Sequence, residues 1–182
     1  LMFEATEDIL NIFNLYVKQY GGELLEIFPN KIYQVQNQGY SITHFVGDRD
    51  TSARFIVSIP LILNKEAKFS IKKKTIFNEA LQKVNIFSEL VVLEDGDDYY
   101  IRVLDNDFSK QIVKSLMNDF NYLPYLDKLD KARITYANQT LSVYINANAT
   151  NQIASTFINR LNELVELCHQ TKVALEFYDA KF

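Results

Sequence analysis

Residues 31–46 read KIYQVQNQGYSITHFV. Two alternating runs flank Asn37-Gln38-Gly39. Alternation sends successive side chains to opposite faces of a strand. Gly39 supplies the positive φ that a tight turn demands. The stretch therefore predicts a β-hairpin, and this decides the fold class. Hairpins make antiparallel sheets, whereas a doubly wound protein alternates strand with helix.

The same reading extends outward. RFIVSIPLIL (54–63) and AKFSIKK (67–73) flank Asn64-Lys65-Glu66, which predicts a second hairpin. Pro60 cannot donate to a ladder, so its strand should be an edge or carry a bulge. LVVLE (90–94) and DYYIRVL (98–104) are joined by Asp95-Gly96, a strong two-residue turn signal. ARITYA (132–137) and TLSVYI (140–145) pair around Asn138-Gln139.

Helices bracket these strands. Ile9, Ile12, Phe13, Tyr16, Val17 and Tyr20 fall on one stripe of period 3.6. Thr6 is the expected N-cap, Glu7 and Asp8 suit the helix dipole, and Gly21-Gly22 ends the helix. A short helix over 75–84 would put Ile76, Ala80, Leu81 and Val84 on one face. After Asp105-Asn106-Asp107, a helix should carry Phe108, Ile112, Val113, Leu116 and Phe120, with one of those three residues, Asp107 for preference, as its cap. Ile153, Ala154, Phe157, Ile158, Leu161, Leu164, Val165 and Cys168 mark a long final helix, capped by Asn151 or Thr150. The closing LEFYDAKF reads as a short strand or a frayed tail. The expected fold is α+β: antiparallel hairpins packed by an N-terminal and a long C-terminal helix. It is read as one domain over 1–182, with a looser division near residue 88.

Composition excludes several functions. The chain has 182 residues and a net charge of −4, and it can bury a core without staples. The acidic balance argues against nucleic acid, which needs a basic face. One cysteine forms no internal disulfide, which fits a reducing compartment. No apolar run is long enough to span a membrane. The chain opens LMFEATED, with no signal peptide. Leu in first place fits a piece of a longer protein, so an anchor outside this segment stays open.

The stretch most suggestive of chemistry is EDGDDYYIRVLDND, residues 94–107, with six carboxylates. An EF-hand loop needs Gly at its sixth position and Glu at its twelfth. Counted from Asp105 these are Lys110 and Leu116, and counted from Asp95 the sixth is Tyr100. A turn and a helix start account for most of these acids. The alternative is a hard-cation site of Asp95, Asp97, Asp105 and Asp107. One Cys and two His cannot build the usual structural zinc set without carboxylates. Cys168 lies on an apolar stripe, which predicts an inert thiol. His169 points about 100° from it on a helix, and His44 has the parity of a sheet histidine.

Asp48 or Asp50 followed by Glu66-Ala67-Lys68 resembles the D…(D/E)-x-K pattern of Mg²⁺-dependent nucleases. The plain alternative is a solvent-facing turn. Lys72-Lys73-Lys74, with Lys65 and Lys68 nearby, reads as a solvated strand end or first helical turn, against a phosphate-binding patch. Asn138 and Asn148 match glycosylation acceptors and are read as turn chemistry. Eleven tyrosines, with Tyr122 and Tyr125 around Pro124, suit either half-buried sheet positions or a binding surface.

The order of elements (amphipathic helix, antiparallel meander, helix, hairpin, long helix) resembles the type III secretion chaperone fold and related small bacterial regulators. That resemblance implies an acidic cytoplasmic protein, a homodimer and a protein client. The many Asn, Ile and Lys residues suggest an AT-rich bacterial genome. The leading expectation is a soluble, non-enzymatic protein-binding or regulatory module without a cofactor. A chaperone-like protein is one alternative. A Mg²⁺-dependent hydrolase or nuclease using Asp48, Asp50, Glu66 and Lys68 is the other.

Overall fold

The structure is a computed structural model that describes residues 2–27, 32–46, 53–74, 89–93, 98–128, 132–147 and 154–182. The elements run α1 (Met2–Tyr20), β1 (Glu23–Ile27), β2 (Ile32–Asn37), β3 (Tyr40–Val46), β4 (Ala53–Pro60), β5 (Phe69–Lys73), β6 (Leu90–Leu93) and β7 (Tyr99–Leu104). Then follow α2 (Asp107–Met117), α3 (Leu123–Lys128), β8 (Arg133–Ala137), β9 (Thr140–Ala147) and α4 (Ala154–Lys181). The strands form one sheet in the order β1-β2-β3-β4-β9-β8-β5-β7-β6. The chain is α+β, as the hairpin signals predict. It divides into two compact units, Leu1–Ile59 with Val143–Cys168, and Pro60–Ser142 with His169–Phe182.

In the first unit, α1 buries Ile9, Ile12, Phe13 and Tyr16, with Val17 and Tyr20 half-buried beside them. Phe55 meets Phe13 edge-on at 6.0 Å and Phe157 at 4.5 Å. Such ring pairs add about 1 kcal/mol beyond the area they bury. The helix starts at Met2, so Thr6 lies inside it and does not cap it. Met2-Phe3-Glu4-Ala5 holds no breaker, and nothing in it delays the helix. Gly21 and Gly22 end α1 at φ 84° and 105°. A Cβ on Gly22 would stand 2.6 Å from the Gln36 carbonyl oxygen, so the turn needs glycine twice over. β1 was not legible in ELLEI, whose Glu and Leu favour helix. Its pairing with β2, Leu24 opposite Val35, makes it a strand. The β2–β3 hairpin turns at Gln38 (φ 51°) and Gly39 (φ 85°), the two positive φ values of a type I′ turn.

The second expected hairpin does not form. β4 lies between β3 and β9, and β5 lies between β8 and β7. The connecting residues are mixed: Leu61, Leu63 and Ala67 are buried, while Ile62, Asn64, Lys65 and Glu66 are exposed. Pro60 is also not on an edge strand. It is the last residue of an internal one, where the missing N–H falls as the ladder stops.

In the second unit, β5 pairs on both sides. Ile71 stands opposite Ile101 of β7 and Ile134 of β8. β6 and β7 pair as expected, but with Leu93 opposite Ile101. A two-residue turn at Asp95-Gly96 would have set Leu93 against Asp98, so the connection is longer. Asn106, not Asp107, caps α2: its Oδ1 accepts from the Ser109 N–H at 2.7 Å. Asp107 follows in the first turn, where the dipole favours it. Phe108, Ile112, Val113 and Leu116 are buried, but α2 stops at Met117 and Phe120 lies outside it. The β8–β9 turn uses Asn138 (φ 50°) and Gln139 (φ 57°).

α4 buries Phe157, Ile158, Leu161, Leu164 and Cys168 in the first unit's segment, then Thr171, Ala174 and Leu175 in the second's. It runs to Lys181, so LEFYDAKF is neither strand nor frayed tail. Thr171 concealed the continuing stripe. Its hydroxyl donates to the Tyr122 hydroxyl at 3.1 Å, which makes burial tolerable. The expected helix over 75–84 and the caps Thr150 and Asn151 lie outside the described residues.

Candidate functional site

β8, β5 and β7 are neighbours in the second unit, and their parity separates two kinds of side chain. Phe69, Ile71, Ile101, Val103, Ile134 and Tyr136 alternate into the core. Between them come Ser70 and Lys72 of β5. Ser70 stands opposite Arg102 and Thr135, and Lys72 opposite Tyr100 and Arg133. Three cations therefore share one small area of sheet.

Each of the three makes contacts. Arg133 Nε donates to Ser70 Oγ at 3.0 Å. The Lys72 ammonium lies 5.2 Å from the centre of the Tyr100 ring, a cation–π distance. Arg102 Nη2 reaches the Leu90 carbonyl at 3.5 Å, and its Nε is buried without a hydrogen-bond partner. Burial, and then the charges of Arg133 and Arg102, push the Lys72 ammonium below its ordinary pKa. Ser70 and Tyr100 are buried, and the three cations are half-buried. This face offers N–H and O–H donors and positive charge.

Sequence reasoning found only one member of this group, Lys72. Arg102 and Arg133 drew no attention because each stands alone in its strand, and only the register joins them. The register also relates the two charge runs. Lys74 N donates to Asp98 O at 2.9 Å, so the acidic stretch enters β7 beside the basic stretch leaving β5.

The other candidates are dispersed. Asp48, Asp50, Asp95 and Asp97 lie outside the described residues. Glu66 is exposed, and its backbone carbonyl accepts from Asn106 Nδ2 at 3.0 Å. Lys68 pairs with Glu89 at 3.1 Å. Asp105 holds Lys110 at 2.5 Å and pushes that ammonium up. Among the described residues, no three His, Cys, Asp or Glu gather as a metal would require. Cys168 is fully buried, and burial pushes its thiol up to about 12, far from a reactive thiolate. His44 is buried against Phe55 with ring centres 4.9 Å apart, and burial pulls it down to about 4. His169 is exposed.

Several tyrosines are spent internally. Tyr136 donates to the Leu61 carbonyl at 2.8 Å, Tyr99 to Asp127, and Tyr178 to Asp119 at 2.9 Å. The exposed aromatics are instead Phe120 and Phe177, with 89% and 60% of their surface open. No described helix is long and apolar enough to cross a membrane. Comparison with protein-family models, with curated proteins and with solved structures finds no match.

Proposed function

We propose that this chain is a protein-binding or regulatory module without catalysis of its own. The observation that carries the reading is Phe120, an almost fully exposed ring on a tightly held turn. Asp119 holds that turn. Its Oδ1 accepts from Asn121 N at 2.9 Å, its Oδ2 from the Tyr178 hydroxyl at 2.9 Å, and its carbonyl from Tyr122 N and Leu123 N at 3.0 Å. Burial, with the Asp119 bond and charge, pushes the Tyr178 hydroxyl up to about 12, so it stays a donor. A phenyl ring left in water forgoes about 2 kcal/mol of burial. An exposed aromatic ring on backbone that is already held leaves less chain entropy to lose when a partner covers it.

The test is affinity capture from source lysate with the wild type and with Phe120→Ser. The variant should match the wild type in stability to within about 0.5 kcal/mol, because the ring has little packing to lose. It should also release a partner that the wild type retains stoichiometrically. A partner held equally by both proteins would sink the assignment to Phe120. The narrower form of the proposal is a cytoplasmic, chaperone-like regulator. It adds a homodimer, which sedimentation at micromolar concentration reads directly.

A further inference from the structure

We propose that the open face of β1, β2, β3 and β4 is a dimer interface, and that its occupant is a second copy of this chain. It rests on the homodimer of the narrower reading above and not on Phe120, which belongs to the other unit.

Parity and register define the face. Ile42 stands opposite Val57 and His44 opposite Phe55, all four buried. Phe55 meets Phe13 of α1 and Phe157 of α4, so both helices lie on that side. The residues between them turn to the other side. One row across the strands reads Leu25, Gln34, Thr43 and Ile56, and the next reads Gln36, Ser41 and Ser58. Gln36 is exposed and the rest are half-buried.

The chemistry of the rows selects the occupant. The chain is 23% charged, yet neither row holds a charge. Charge stands at the margins, with Glu23 opposite Gln36 on the edge strand and Arg54 opposite Phe45 near the start of β4. Charge is depleted in the same way at the buried centre of interfaces. The polar groups are amides and hydroxyls. Gln36 Nε2 donates to Gln34 Oε1 at 3.1 Å, and Gln34 Nε2 to Thr43 Oγ1 at 2.9 Å. Such groups both donate and accept, so this face can satisfy a copy of itself across a twofold axis. A face of lysines or of carboxylates would repel its copy. Leu25 and Ile56 add apolar area, as does Ile27, opposite Ile32 and 42% exposed. Strands about 4.8 Å apart, rising about 3.4 Å per residue, make the face roughly 20 Å by 17 Å. That is smaller than a permanent interface, so the dimer is a dissociable one, with a micromolar or weaker Kd.

The experiment is sedimentation equilibrium of the whole chain up to millimolar concentration, with NMR following the backbone amides on dilution. A reversible monomer–dimer equilibrium is expected, with dilution shifts centred on β2, β3 and β4. Ser41→Lys brings like charges together across the axis and should weaken the dimer at least about tenfold. Thr43→Lys should act in the same way and serves if Ser41→Lys fails to fold; the dilution shifts decide if both do. Phe120→Ser should dimerise as the wild type does. A chain still monomeric at millimolar concentration overturns the proposal. So does a dimer that both lysine variants leave intact, or dilution shifts centred on another element. A dimer lost in Phe120→Ser and kept in Ser41→Lys overturns it by moving the contact to the Phe120 turn. A monomer that loses a captured partner in Ser41→Lys gives the face to a different protein, which overturns the second copy and leaves the protein-binding reading standing.

Discussion

Alternate residues of β5, β7 and β8 meet two different environments. On one side Ile71, Ile101 and Ile134 align across the three strands and are sealed from water. On the other, Lys72 and Arg133 stand opposite each other, with Arg102 two residues along β7 from Tyr100. The backbone ladder is common to both sides. The first side gains the transfer energy of apolar area and the dispersion of close packing. The second buries Ser70 and Tyr100 beside its half-buried cations, and its Lys72 feels the like charges of Arg133 and Arg102.

The comparison breaks most readily at its apolar side. Ile101→Ala removes a side chain that is 1% exposed at the centre of the ladder. The lost transfer energy and the cavity should together cost about 3 kcal/mol. Urea denaturation reads this, with an unchanged slope if the unfolded state is unaltered. A loss below about 1 kcal/mol would mean that this face is not the core of the second unit.

His44 sharpens the contrast, because it is a buried base that can shed its charge where Arg102 cannot. Burial lowers its folded pKa to about 4, from the ordinary 6.5. Between those values the unfolded chain binds the proton and the folded one refuses it. The stabilising contribution is therefore complete above pH 6.5 and is lost as pH falls toward 4. The loss should total about 3 kcal/mol, with a slope of at most about 1.4 kcal/mol per pH unit. Denaturation midpoints between pH 7 and 4 in the wild type and His44→Phe measure it. If the variant keeps the same pH dependence, another group is responsible.

Sequence legibility followed the range of the forces involved. Turns such as Gln38-Gly39 and Asn138-Gln139 were readable because positive φ is a local demand on a few residues. Stripes such as Ile9–Tyr16 and Phe157–Cys168 were readable because helical period is local too. What failed was non-local. Strand order put β9 and β8 between β4 and β5, and no local signal in 54–73 records that. ELLEI became a strand through its partner β2. The grouping of Lys72, Arg102 and Arg133 was invisible for the same reason: they are distant in sequence, and only register gathers them. Local reading also erred by one residue at the start of α2.

That one-residue error has a measurable size. Asn106 is in extended backbone and accepts the Ser109 N–H, so Asn106→Ala should cost about 1 kcal/mol. Asp107→Ala removes only a favourable charge from the first turn and should cost a few tenths. Equal losses in the two variants, read by thermal denaturation, would return the capping role to Asp107.

The change at Arg102 has the opposite sign. Arg102→Met should change stability by less than about 1 kcal/mol, and in the stabilising direction. Met keeps the apolar stem, and with it the packing that an Arg side chain contributes. It removes the orphaned Nε and the repulsion felt by Lys72, and it breaks only a long bond to the Leu90 carbonyl. Replacing half-buried charge by apolar groups of similar shape is often neutral or better. A loss of about 2 kcal/mol or more would instead make Arg102 a structural tie. In that case the polar face of these strands would hold the fold together as the apolar face does, and the contrast between them would be one of chemistry and not of purpose.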